Sequence, residues 1–204
     1  MLFQSRQYLE KFLNIPVNST LCFGNFLVIA LVLNGCSSVA TKADGSPVNP
    51  HLIQSQYWKV KDKSVYDGDT FRAINEANEE EIKIRLACID APEKKQDMGI
   101  ASRDYLRSLL NQNPNKLIVV ERDRDKYGRV IAEIFIPTGR GDEEIAINAM
   151  MINSGNAYYY AQYSKNCSEN AEIYANLEKE AKKKKSGIWK YNGLKPWEYR
   201  KANR

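Results

Sequence analysis

Histidine is nearly absent from this chain: His51 is the single one in 204 residues. It sits among small and polar residues ahead of any folded stretch. No Ser-His-Asp or Cys-His system, histidine general base or histidine-ligated zinc site can therefore operate. Cysteine is scarce too, with Cys22, Cys36, Cys88 and Cys167 the only four, and their spacing lacks the short paired intervals of a structural zinc site. Charge of neither sign dominates: 30 Lys and Arg against 25 Asp and Glu leave a formal net charge of +5. That balance permits an anionic partner without demanding one. Any catalysis must come from carboxylates, arginines, lysines or tyrosines.

Long apolar runs are missing except at residues 26–33 (FLVIALVL), with Arg6 and Lys11 ahead of them. That run is too short to span a bilayer and suits the apolar region of a secretory signal. The following Leu33-Asn34-Gly35-Cys36-Ser37-Ser38 resembles a bacterial lipoprotein cleavage site, with Cys36 the lipidated first residue of the mature protein. Asn34 is an unusual member of that pattern, and the segment before the apolar run is long, as a start codon assigned too far upstream would make it. Residues 1–36 are thus expected to be a signal peptide cleaved before Cys36, and residues 37–54 a flexible tether of Ser, Thr, Gly, Asn and Pro. The expected product is exported and anchored to a membrane of the cell envelope by lipid; plain secretion or an uncleaved anchor are the alternatives. Only Cys88 and Cys167 then remain in the mature domain. In an oxidising compartment they can pair or stay free, and spacing does not decide between the two.

Downstream, residues 56–60 and 64–74 read as strands, the second interrupted by the turn-forming Asp67-Gly68-Asp69. Residues 75–80 form a polar hairpin loop. Ile82, Ile84, Leu86 and Cys88 then alternate with Lys83, Arg85 and Ala87, the period of a half-buried strand. Pro92 ends this stretch, because it cannot donate to a ladder and keeps Ala91 extended. A helix is expected around residues 100–110, strands at 116–121 and 130–136 separated by a charged turn at 122–129, and a helix at 145–152. The last helix carries Ile173, Leu177 and Ala181 on one face, lysines 182–185 near its end and Gly187 as terminator, with Trp189 folding back on the core. Five short strands followed by helices indicate an α+β domain, a small β-barrel with helices attached.

Several charges suit phosphate chemistry. Asp69 and Asp90 are hard oxygen ligands of the kind calcium prefers, and the main-chain carbonyl of Ala91 could complete an open site. Glu93 could hold a water as general base. Arg85 and Arg129 could each donate paired hydrogen bonds to phosphate oxygens. Each piece also has a plain structural reading. Asp67-Gly68-Asp69 is a turn, the 125–129 segment a solvated hairpin, the tyrosines core and rim, the lysine run a solvated helix end. Only their combination favours chemistry.

Three ordered motifs carry that combination: Asp67-Gly68-Asp69-Thr70; Arg85-Leu86, three residues, Asp90-Ala91-Pro92-Glu93; and Asp125-Lys126-Tyr127-Gly128-Arg129. In order and spacing they resemble the staphylococcal nuclease (thermonuclease) family. Ser154 to Tyr160, and Ala181-Lys182 followed by Gly187-Ile188-Trp189, resemble its later segments. The similarity covers roughly residues 55–190, and residues 55–204 are taken as the domain. The resemblance implies a five-stranded OB-type barrel with three helices, and a monomeric, calcium-dependent endonuclease of DNA and RNA that leaves 3′-phosphate ends. It implies Asp69, Asp90 and the Ala91 carbonyl as calcium ligands, with Asp67 an acid just behind them. Arg85 and Arg129 grip the scissile phosphate, Glu93 is the base, Tyr127 meets a substrate phosphate, and Tyr160 and Tyr163 stack on a base. Departures are Ala91, where the founding member has threonine, a longer loop at 137–144, and Asn156 where leucine is usual; none removes a catalytic group. The resemblance also brings Cys88 near Cys167 and so favours a disulfide. The alternative is an OB-type envelope lipoprotein that binds nucleic acid without cutting it, but such a module has no need of Asp69, Asp90 and Glu93.

Overall fold

The computed structural model describes residues 57–141 and 143–203. The signal segment, the tether and the lipidation site at Cys36 lie outside the described residues. Among them no helix is long and apolar enough to cross a membrane.

Alternating patterns build the barrel. In β2 (Thr70–Asn75) Phe71 and Ala73 point inward, and in β3 (Glu81–Leu86) Ile82, Ile84 and Leu86 do so. Strand β1 (Trp58–Val60) pairs antiparallel with β2, and β2 with β3. Beyond a two-residue strand β4 (Ile89–Asp90) and helix α1 (Gly99–Leu110) come β5 (Ile118–Arg124) and β6 (Val130–Pro137). β6 lies parallel to β3 and antiparallel to β5, which gives the order β1-β2-β3-β6-β5. Trp58 and Leu117 exchange backbone hydrogen bonds of 2.9 and 2.8 Å, closing β1 onto the start of β5. These five strands are the barrel that the sequence predicts. A short β7 (Glu144–Ala146) extends β6.

Helices α2 (Ile147–Asn153) and α3 (Ala171–Lys183) follow, separated by β8 (Tyr158–Tyr159), which pairs with β4, and a 3₁₀ turn (Ala161–Cys167). Gly155 and Gly187, both at positive φ, let two turns touch: a Cβ on either would lie 2.3 or 2.1 Å from a backbone oxygen of the other turn, and Ile188 N–H donates to Gly155 O at 2.9 Å. Trp189 then meets Tyr158 edge-on at 5.0 Å.

The structure redraws several boundaries. The strand expected through Cys88 stops at Leu86, and Cys88 turns with φ of 60° so that β4 leaves the barrel to pair with β8. Of the strand expected at 64–74 only the part from Thr70 onward is regular, because the Asp67–Asp69 bend packs on α1. The charged turn is shorter than expected, since β5 stays paired with β6 as far as Arg124, across a bulge between Glu121 and Asp123. Residues 145–146 belong to β7, so α2 starts two residues late. A fourth helix, α4 (Pro196–Ala202), adds to the three expected. Cys88 and Cys167 form a disulfide (S–S 2.04 Å, Cα–Cα 6.3 Å), tying the β3–β4 turn to the 3₁₀ turn before α3.

Candidate active site

Strand pairing sets Thr70 opposite Arg85, so Asp69 stands beside that arginine at the mouth of the β2–β3 hairpin. Arg85 Nη1 contacts Asp69 Oδ1 at 2.5 Å, and its Nη2 donates to Asp90 Oδ1 at 2.8 Å. One guanidinium therefore bridges both acids. The Asp69 carboxylate is fixed further by Thr70 Oγ1 (2.9 Å) and by the Ala91 N–H on its other oxygen (2.9 Å). Asp67 accepts the Asp69 N–H at 3.1 Å. The parallel β3–β6 register brings Arg129, just before β6, to the same end of the sheet. There Arg129 Nε donates to Asp125 Oδ2 at 2.7 Å, and its guanidinium lies 5.7 Å from the Tyr127 ring.

These groups surround a cleft of about 900 Å³. Asp67, Asp69, Arg85, Ala91, Glu93, Tyr127, Arg129, Tyr160 and Tyr163 all line it, while Asp90 is fully buried behind Arg85. Tyr127 stands out at the rim, 73% exposed. One face of Tyr160 is covered: Trp197 of α4 stacks on it, with centroids 5.0 Å apart and planes 7° from parallel.

Sequence reasoning missed Arg200, also on α4. Its Nη2 donates to Asp90 Oδ2 at 2.7 Å, and its Nη1 to Asp90 Oδ1 at 3.1 Å and Glu93 Oε1 at 2.8 Å. A signal for the helix was present: Pro196 at its first position and Glu198 two residues on, whose carboxylate accepts the Lys195 N–H at 3.0 Å. Nothing local could reveal that Arg200 reaches back across the chain to Asp90.

The electrostatics reflect crowded acids. Asp69, Asp90 and Glu93 share the two guanidinium groups of Arg85 and Arg200, and Asp67 stands beside Asp69. Burial and then the neighbouring Asp69 charge push the Asp67 carboxyl up to about 7. Burial also raises Asp90, more than the hydrogen bonds from Arg200 lower it. Burial opposes ionisation of Asp69 as well, but the Arg85 charge and the Ala91 and Thr70 hydrogen bonds outweigh it and hold Asp69 below the usual carboxylate range. Both guanidinium groups are stabilised as cations, Arg200 by its hydrogen bonds to Asp90, and Arg85 by Asp69 and Asp90 against the cost of burial.

This donor set suits a hard divalent cation: two carboxylates side by side, bridged by one guanidinium. Among the described residues no three acidic, histidine or cysteine side chains converge to hold a metal. Asp69, Asp90 and main-chain oxygen at Ala91 are the groups that fit, and Arg85 and Arg200 both place positive charge on Asp90.

A family model described as staphylococcal nuclease homologue matches residues 83–191. A micrococcal nuclease of Shigella flexneri is 34% identical over 144 residues, 69% of this chain and 79% of that protein. An uncharacterized endonuclease of Escherichia coli is 34% identical over 137 residues, 67% of this chain and 80% of its own length. A staphylococcal-like nuclease of Arabidopsis thaliana is 35% identical over 139 residues, 66% of this chain but 39% of that protein. With its closed five-stranded barrel and these matches, the chain belongs to the staphylococcal nuclease family.

Proposed function

We propose that this cleft hydrolyses phosphodiester bonds of DNA, RNA or both, as a calcium-dependent endonuclease that leaves 3′-phosphate ends. The carrying observation is the meeting of Arg85, Arg129, Asp69 and Glu93 in one cleft with Asp90 at its back. Arg85 and Arg129 donate paired hydrogen bonds to the non-bridging phosphate oxygens and offset the charge that builds at phosphorus. Glu93 orients a water for attack and takes its proton. Tyr127 contacts a neighbouring phosphate, and Tyr163, 45% exposed, offers a face to a base. Calcium held by Asp69, Asp90 and the Ala91 carbonyl would polarise the phosphoryl group. The enzyme works outside the cytoplasm as a monomer, anchored through Cys36; a disulfide between Cys88 and Cys167 supports an oxidising compartment.

The test is cleavage of single-stranded DNA and of RNA, in calcium or in excess chelator, with Glu93→Gln and Arg85→Ala alongside. Cleavage should require calcium, with Glu93→Gln slower by about 10²–10⁴ and Arg85→Ala by at least about 10². No calcium-dependent cleavage by the wild type would overturn the reading, and binding without cleavage would point to a nucleic-acid-binding barrel. Full activity in both variants would overturn the assignment of these residues.

A further inference from the structure

Helix α4 lies beyond the residues matched by the family model and reaches into the cleft. Arg200 lays its guanidinium across both oxygens of Asp90 and shares one nitrogen with Glu93. Trp197 stacks on Tyr160, and Gln96 Nε2 donates to Leu194 O at 2.8 Å, fastening the segment before α4 to the loop that follows Glu93. Asp90, proposed to hold the metal, and Glu93, proposed to activate water, are thus bound by a cation of the chain's own, and one of the aromatic faces proposed for the nucleotide is covered.

This occupancy competes with the proposed metal: Arg85 holds only Oδ1 of each aspartate, and Arg200 takes Asp90 Oδ2 as well. A calcium ion needs a carboxylate oxygen at about 2.3–2.6 Å. On Asp90 one oxygen already takes Arg85 and Arg200, and the other takes Arg200. The like charges of a guanidinium and a divalent ion also repel at such range. The helix is built to leave. Pro196 is its only buried residue, and residues 191–195 leading to it are all exposed, with open space around Gly193. The barrel closes through Trp58 and Leu117 without using α4, so undocking would be a local opening, not unfolding.

We propose that α4 is an autoinhibitory latch: Arg200 occupies Asp90 and Glu93 while Trp197 covers one face of Tyr160, and calcium at Asp69 and Asp90 expels them. This rests on the metal-dependent reading of the cleft. Docking of α4 lowers apparent calcium affinity, because binding must first draw on the minor, undocked population. Releasing Arg200 frees Glu93 and uncovers Tyr160 in the same step.

The experiment is calcium titration by calorimetry, with amide hydrogen exchange of residues 195–203 with and without calcium, on wild type, Arg200→Gln and Trp197→Ala. In the wild type calcium should raise exchange in 195–203. Arg200→Gln should bind calcium about tenfold more tightly and show fast exchange before calcium is added. Trp197→Ala keeps the Arg200 charge but loses the stack, and should shift both readouts the same way by a smaller factor; it serves as the second probe if Arg200→Gln does not fold. Calcium affinity unchanged or weakened in both variants, or exchange in 195–203 indifferent to calcium, would overturn the latch while leaving the metal site standing. Failure of all three proteins to bind calcium would overturn the metal site and the latch together.

Discussion

Gly68 is where one missing methyl group sets the site. A Cβ there would lie 1.9 Å from Ser102 Oγ and 2.7 Å from Ala91 Cβ. What the position demands is space: the Asp67–Asp69 bend lies directly on α1 and on the segment after β4. Ser102 cannot easily yield, being fully buried with its hydroxyl donating to Asn156 O at 2.5 Å. Any relief must therefore move Asp69 or Ala91, two of the three proposed metal-binding residues. Gly68→Ala is expected to cost about 1–3 kcal/mol in urea denaturation and to weaken calcium binding with Asp69 and Asp90 themselves intact. An unchanged unfolding midpoint and calcium affinity would show that the bend can shift freely, and would remove this account of its fixed geometry.

Between elements, the turn from β3 to β4 matters most, since it sends the chain from the barrel wall to the β8 pairing and delivers Asp90 behind Arg85. The Cys88–Cys167 disulfide, spanning 79 residues, pins this turn to the approach to α3. A bridge closing so long a loop restricts the unfolded chain considerably, so Cys88→Ser with Cys167→Ser should lower stability by about 2–4 kcal/mol. Matching urea curves for the double variant and the oxidised wild type would rule out a bridge that stabilises the fold. Sequence made β2, β3 and α1 legible because their signals are local: alternation in 70–75 and 81–86, and helical spacing from Ile100 to Leu110. The carboxylates and Arg85 and Arg129 were legible because their spacing along the chain follows from how the strands place them. The turn at Cys88 was not, since an apolar residue in an apolar rhythm gives no warning of positive φ. Nor was the role of α4, whose ion pairs join residues 107 and 110 positions apart.

Across the molecule, one buried network ties the barrel to the helices. Glu133 of β6 is fully buried, and it takes Arg122 of β5 (2.6 Å), Asn170 (2.9 Å) and the Tyr174 hydroxyl of α3. A buried charge is tolerated only while every partner is in place, and one of these partners titrates. Burial, and then the adjacent Glu133 charge, push the Tyr174 hydroxyl well above its ordinary 10. The folded protein therefore holds that proton where the unfolded chain releases it. Its contribution is complete below pH 10 and is lost as pH rises through and beyond that value, at up to about 1.4 kcal/mol per pH unit. Tyr158 and Tyr160 shift in the same direction, chiefly through burial, and add to the slope. Urea denaturation between about pH 8 and 11 should show stability falling on the alkaline side. Tyr174→Phe should be the less stable protein at pH 8, by about 1–3 kcal/mol for the hydrogen bond that Glu133 loses. That gap should narrow above pH 10, because the variant has no buried hydroxyl to ionise. Parallel stability curves for the two proteins across the range would mean that Tyr174 titrates normally, and that the network does not set the alkaline limit of the fold.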